Sequence, residues 1–193
     1  MVLRSLLASV RSGVVKTFRC VPLVDRLTMT SELPTDPYWK LRPLPPTPAD
    51  ETCHCDPFGP LLLRDILSSN PIGCFDCNGE VSPDRIRFST QLAESIANWR
   101  SLHSSLYRLW LSSGDYESWA RDRLLDSNGE VHRLGYEIVT KLNALPDISA
   151  YYWFFADTDS DAGSPAQCPK CSTPLSALPN GELGKCDTCR IVL

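Results

Sequence analysis

Cys168-Pro169-Lys170-Cys171, followed after fourteen residues by Cys186-Asp187-Thr188-Cys189, is the stretch on which the reading of this chain turns. Two Cys-x-x-Cys pairs at this separation have the form of a zinc ribbon. Each pair turns as a tight knuckle with two thiolates inward, and a loop carrying Pro174, Pro179 and Gly181 is long enough for a hairpin that brings the knuckles together. Four sulfurs then close a tetrahedron and leave no position for water or substrate. The expected site is structural, which argues against a metalloenzyme.

Upstream, Cys53-His54-Cys55 and Cys74-Phe75-Asp76-Cys77-Asn78-Gly79 stand eighteen residues apart and form a second candidate site. Asn78 and Gly79 tolerate the left-handed backbone that turns amides back toward the sulfurs. The Cys-x-Cys half is less regular. His54 could replace one cysteine, since imidazole also ligates zinc, but neighbouring residues point in different directions, which favours Cys53, Cys55, Cys74 and Cys77 as the set. The expected cofactor is zinc at two structural sites, the second formed by Cys168, Cys171, Cys186 and Cys189. The apolar stretch Pro60 to Leu67 is expected to pack the first site onto the core.

The chain has 193 residues, 42% hydrophobic and 22% charged, room for one ordinary domain or two small ones. It has no run of eighteen apolar residues, so a transmembrane helix is excluded on length. Eight of its nine cysteines fall into close pairs, which in a secreted chain would suggest disulfides. No signal peptide precedes them, so a reducing cytoplasm and zinc are favoured. Cys20 is left over, with a buried structural thiol as its expected role. Residues 1–24 contain no acid and carry Arg4, Arg11, Lys16 and Arg19. They read as an amphipathic helix start, with a mitochondrial transit peptide as the alternative.

The formal net charge is −4, with residues 1–50 at +3 and the remainder at −7. Filled four-cysteine sites make the balance more negative, a poor field for gripping phosphates.

The pattern predicts an α+β fold in four parts. Residues 1–33 read as a partial α+β layer, with a helix to about Ser12 stopped by Gly13 and strands at 14–23 and 27–33. Residues 34–50 hold six prolines and read as a stiff, extended linker. Residues 51–160 read as a zinc-stapled helical domain. Its helices are expected at Thr90–Ser112, at Tyr116–Leu125 with Asp115 as cap, and where Val131, Leu134, Ile138, Leu142 and Leu145 recur until Pro146. A buried aromatic strand, Tyr151–Phe155, follows. An acidic loop, Asp157 to Pro165, leads into the ribbon of residues 161–193.

No Gly-rich phosphate loop, His-Glu-x-x-His helix or Gly-x-Ser-x-Gly elbow occurs. His103 and His132 are expected at a helix surface or core edge, and Trp110 and Trp119 in the core. The chain is therefore not expected to be an enzyme. Residues 168–193 contain no aromatic side chain and only Lys170, Lys185 and Arg190 as cations, a weak set for reading nucleic acid. Zinc is better understood as a staple that holds a protein-binding surface in shape.

Cys53-His54-Cys55, Pro71-Ile72-Gly73-Cys74-Phe75-Asp76-Cys77, Leu109-Trp110, Leu134-Gly135, Tyr151-Tyr152 and Lys185-Cys186-Asp187-Thr188-Cys189-Arg190-Ile191-Val192 together resemble an uncharacterised bacterial family of zinc-ribbon-containing proteins, for which nucleic-acid binding is a suggested role. The resemblance covers about residues 50–193. It lacks the opening strand of that family's N-terminal domain, and Ser172 and Arg190 stand where Gly often follows the second Cys. It implies the fold, zinc and, as the alternative function, a nucleic-acid-binding regulator. A looser likeness is to bacterial immunity proteins with two Cys-x-x-Cys motifs, cytoplasmic and non-enzymatic, whose partner is a toxin. An acidic surface suits the basic face of a nuclease.

Overall fold

The structure, a computed structural model, describes residues 35–65, 67–155, 166–177 and 184–193. The helix and strands expected in residues 1–33, Cys20, the arginine-rich opening and the acidic loop lie outside the described residues.

Pro34–Leu193 form one compact unit of the α+β class, built on a six-stranded sheet. Its strands are β1 (Leu61–Leu63), β2 (Ile72–Cys74), β3 (Ala150–Trp153), β4 (Ser176–Ala177), β5 (Gly184–Cys186) and β6 (Ile191–Val192). They lie in the order β2-β1-β3-β6-β5-β4. β1 is antiparallel to β2 and parallel to β3, β3 is parallel to β6, and the ribbon strands β4, β5 and β6 are antiparallel. The ribbon therefore continues the sheet of the helical part.

Among the described residues four α-helices accompany the sheet: α1 (Pro83–Ile86), α2 (Thr90–Ser112), α3 (Glu117–Leu125) and α4 (Glu130–Asn143). α2 starts where Ser89 accepts a 3.2 Å hydrogen bond from Leu92 N, a side-chain cap for an orphan amide. α3 follows a 3-10 turn, Gly114–Tyr116, and Asp115 does not cap it; instead Glu117 Oε1 accepts from Gly114 N at 3.0 Å. α4 buries Val131, Ile138, Val139 and Leu142 on one stripe. No helix among the described residues is long and apolar enough to cross a membrane.

Period-two alternation sorts the strands into two faces. Leu61, Leu63, Ala150, Tyr152 and Ile191 join the main core with Trp99, Ile96 and Leu142, whereas Leu62, Tyr151 and Val192 form a smaller cluster with Phe75 and Trp153. α4 seats against β3 at Gly135, where an added Cβ would come within 2.3 Å of the Tyr152 ring. Asn143 then ties the helix end to the strand edge, its amide exchanging hydrogen bonds of 2.9 and 3.0 Å with the Ala150 backbone.

The proline-rich stretch is packed despite lacking long regular elements. Tyr38 and Leu41 are buried, and the Tyr38 hydroxyl donates to Phe88 O at 2.7 Å. Arg42 bridges Asp36 at 2.8 Å and Asp84 at 2.7 Å. Prolines forbid helix and central strand here but leave the side chains between them free to dock.

Candidate metal centres

The first centre is assembled from two segments. Cys74 ends β2, Cys77 closes its knuckle, and Cys53 and Cys55 follow a 3-10 turn at Ala49–Glu51. Cys53 N donates to Glu80 O and Glu80 N to Glu51 O, each at 2.8 Å, so the Cys-x-Cys segment runs beside the exit of the knuckle. That approach depends on Gly79, where a Cβ would sit 2.7 Å from Cys53 N. Arg85 of α1 fixes the same segment from outside, donating to Cys53 O at 2.7 Å and to Cys55 O while its guanidinium lies over Phe58.

The knuckles share one backbone pattern. Cys74 N donates to Gly79 O at 2.8 Å and receives the return bond at its carbonyl from Asn78 N at 2.9 Å; Cys168 N donates to Thr173 O and Ser172 N to Cys168 O, both at 2.9 Å. Cys186 pairs with Ile191 across the β5–β6 turn at the same five-residue offset. In all three the residue after the second cysteine has positive φ: Asn78 at 60°, Ser172 at 58° and Arg190 at 55°. Asparagine visits this region readily; serine and arginine adopt it at a cost.

Each centre gathers four sulfurs within 4.8 Å of one another. Cys171 Sγ and Cys186 Sγ are 3.6 Å apart, close to the edge of about 3.8 Å in a tetrahedron with Zn–S bonds of about 2.3 Å. The same separation is far beyond the roughly 2.0 Å of a disulfide, and all eight cysteines are free. Donor type, number and spacing fit two structural zinc sites. His54 stands outside the first one: its Nε2 lies 2.7 Å from Ala49 O, so the set is all cysteine.

The thiols themselves are unequal. Burial pushes Cys74 up, but the amides of Cys77, Asp76 and Gly59 donate to its sulfur and bring it down to about 7. Cys171 falls to about 6, chiefly through the Thr173 hydroxyl 3.2 Å away. Cys55 is pushed up to about 12 by the neighbouring Cys77 and Cys53 sulfurs, and Cys189 to about 12 by burial and then by Cys171. Four thiolates so close cannot all ionise without a cation between them. Zinc binding therefore releases protons and becomes part of the folding free energy.

A chain of side chains links the centres across the outer face of the sheet. Phe75, inside the first knuckle, packs on Tyr151 with ring centroids 5.6 Å apart. The Tyr151 hydroxyl donates to Asp187 inside the last knuckle at 2.7 Å and accepts from Arg190 at 3.0 Å.

The two histidines expected near the surface are fully buried. A partner for each is remote in sequence, which is why the helical pattern alone placed them wrongly. His132 Nε2 is 2.8 Å from Leu124 O and its Nδ1 2.8 Å from the Tyr152 hydroxyl, the arrangement of a neutral ring that donates at Nε2 and accepts at Nδ1. His103 lies 3.3 Å from Asp65, which also accepts from Ser104 and from Leu67 N. Burial pushes the Asp65 carboxyl up, but these donors hold it below its ordinary range. Trp119, expected in the core, is exposed, while Trp110 is half-buried against Phe155 at 5.0 Å. Of the Asn78-Gly79 pair, Asn78 takes the expected left-handed backbone while Gly79 serves the close approach to Cys53 instead; Arg85 and Asp65 carry no local signal of their roles.

In comparisons with known proteins, no family model, no curated protein and no solved structure matches this chain.

Proposed function

We propose that the protein is a non-enzymatic, zinc-stapled binding module whose partner is a protein, in the manner of a cytoplasmic immunity protein that covers a toxin. The observation that carries this reading is a run of exposed apolar side chains on the last turn of α2, the 3-10 turn after it and the first turn of α3. Leu109, Leu111, Tyr116 and Trp119 are 36%, 49%, 63% and 48% exposed. Soluble surfaces seldom group large apolar side chains in this way unless they bind something. Tyrosine and tryptophan are also the commonest anchors of protein interfaces.

Two further features support it. Both metal centres close with four cysteines and keep no position for a reacting water. The net charge of −4 favours a basic partner, whose encounter it would accelerate.

The test is to sequence the genes flanking its own, co-express the zinc-loaded protein with any toxin candidate found there, and follow with capture and toxicity assays; a flank without such a gene counts against the immunity reading. Tyr116→Asp and Trp119→Asp are expected to abolish both capture and protection while leaving two zinc per chain. If both variants still bind and protect, the patch is not the interface. If the wild type neither captures nor protects, the immunity reading falls.

A further inference from the structure

Beside the first metal centre, the proline-rich segment and the β1–β2 connection form the walls of a groove of about 580 Å³. Glu80 joins them. Its carboxylate accepts from Thr47 Oγ1 at 2.6 Å on one wall, and from Ser68 Oγ at 3.4 Å and Asn70 Nδ2 at 3.1 Å on the other. Asn70 is buried and also bonded to Val81 O and Ile72 N. The groove is therefore formed before anything enters it, which spares a ligand the cost of ordering its walls.

Two leucines are held out on this groove by their backbone. Leu44 is 92% exposed between Pro43 and Pro45, whose rings limit how the segment can fold back. Leu67, 43% exposed, stands at φ 69°. Its amide donates at 2.9 Å to the Asp65 carboxylate, which His103 and Ser104 anchor on α2. A left-handed backbone is costly for leucine, and this one is borne with the side chain in solvent. Apolar groups fixed in water in this way mark a surface that something covers.

The charge of the groove says what that is. Asp50, Glu51 and Glu80 line it against Arg64. Among the described residues no cation pairs with any of the three acids. The Arg64 guanidinium is tied to Asn78, donating to its carbonyl at 2.7 Å and to its Oδ1 at 3.3 Å. A filled first centre adds two net negative charges, four thiolates against one divalent ion, and its Cys77 lines the groove. Pro43, Pro45, Pro46 and Pro48 contribute carbonyl oxygens without amide hydrogens, so their wall accepts hydrogen bonds and scarcely donates them. The acids do not converge as metal ligands, because the two cysteine sets are the only such groups among the described residues.

We infer that this groove seats an extended basic segment of a protein partner, in which lysine or arginine is interspersed with aliphatic side chains. The cations answer Asp50, Glu51 and the proline carbonyls, while the aliphatic groups and the lysine or arginine stems cover Leu44 and Leu67. The groove is built from other residues than the exposed run on α2 and α3, so either assignment can fail alone.

The experiment titrates the full-length zinc-loaded protein into fluorescein-labelled peptides, followed by anisotropy at low salt. Four peptides of equal length alternate leucine with lysine, serine with lysine, leucine with serine, or leucine with glutamate, each with a central proline against self-pairing. The leucine and lysine peptide is expected to bind at least about fivefold tighter than any other, and to weaken by about threefold or more as salt rises to about 0.2 M. Leu44→Ser, and Asp50→Asn together with Glu51→Gln, should each weaken it by about fivefold. All three side chains are exposed, so these variants keep the fold, and two zinc per chain checks this. Trp119→Asp should change nothing. The inference is overturned if the leucine and lysine peptide does not bind at about 1 mM, or if another of the four binds as tightly. It is equally overturned if Leu44→Ser or the acid pair leaves affinity unchanged, or if Trp119→Asp abolishes binding.

Discussion

Ser172 holds φ at 58° directly after the second cysteine of its knuckle, a conformation that a side chain with a Cβ adopts at about 1 kcal/mol or more. Ser172→Gly should therefore raise stability by about 0.5–1 kcal/mol, the relief being partly offset by the freer unfolded glycine. A shift of the urea midpoint at unchanged zinc content checks it, and no shift or a downward one would refute the strain. Arg190 is not an equivalent target, because its side chain also donates to Tyr151 at 3.0 Å. His132 supplies a pH signature. Burial lowers it to about 4 from 6.5, so above pH 6.5 neither folded nor unfolded chain protonates it and stability is full. Between pH 6.5 and 4 only the unfolded chain takes up the proton, and stability falls by about 3 kcal/mol. Zinc release adds its own acid dependence, so the measurable is the difference: the stability of His132→Gln should fall less steeply than the wild type between pH 6.5 and 5. Equal slopes would mean that the ring titrates normally. At this scale the knuckle cysteines were readable because their geometry is local. His132 was not, since its partners are eight and twenty positions away.

The long elements show the same division. α2 runs over Thr90–Ser112 as its apolar spacing predicts, because twenty-three residues display a helical period many times over. β1 and β2 have three residues each, all buried, and neither can express an alternation that distinguishes a strand from any short apolar run. β1 takes its second neighbour from β3, far away in the chain. Gly135 is where helix and sheet meet most closely, with space for a hydrogen and nothing larger. Gly135→Ala should lift α4 from β3 and cost about 2–3 kcal/mol despite the better helix propensity of alanine. Denaturant unfolding measures this. A neutral or stabilising result would show that Tyr152 swings aside without cost.

For the molecule as a whole, the two centres cannot be treated as separate staples. β6 lies between β3 and β5, so the ribbon supplies the neighbour on which the aromatic strand depends, and Ile191 and Leu193 belong to the main core. Cys186→Ser is therefore expected to damage more than the ribbon. It should lower zinc affinity at the first centre as well, and by reciprocity removal of the first zinc should weaken the second. Chelator titration with a chromophoric indicator should release both ions in one cooperative phase. Two well-separated phases, with the helices intact after the first, would show the centres to be energetically independent.

The parallel pairing at the middle of the sheet also sets a clock. β1 meets β3 across 89 positions, Leu61 to Ala150, and β3 meets β6 across 39, Tyr152 to Ile191. Loops of that length must close before either pairing returns any energy, and such topologies fold slowly. A zinc-clamped β5–β6 hairpin would arrive at β3 already formed, sparing the search for one of its two neighbours. Refolding from denaturant, followed by tryptophan fluorescence, should thus be faster with zinc present from the start than with zinc added after dilution. Equal rates would place docking of the ribbon after the slowest step, leaving the metal to act on unfolding alone.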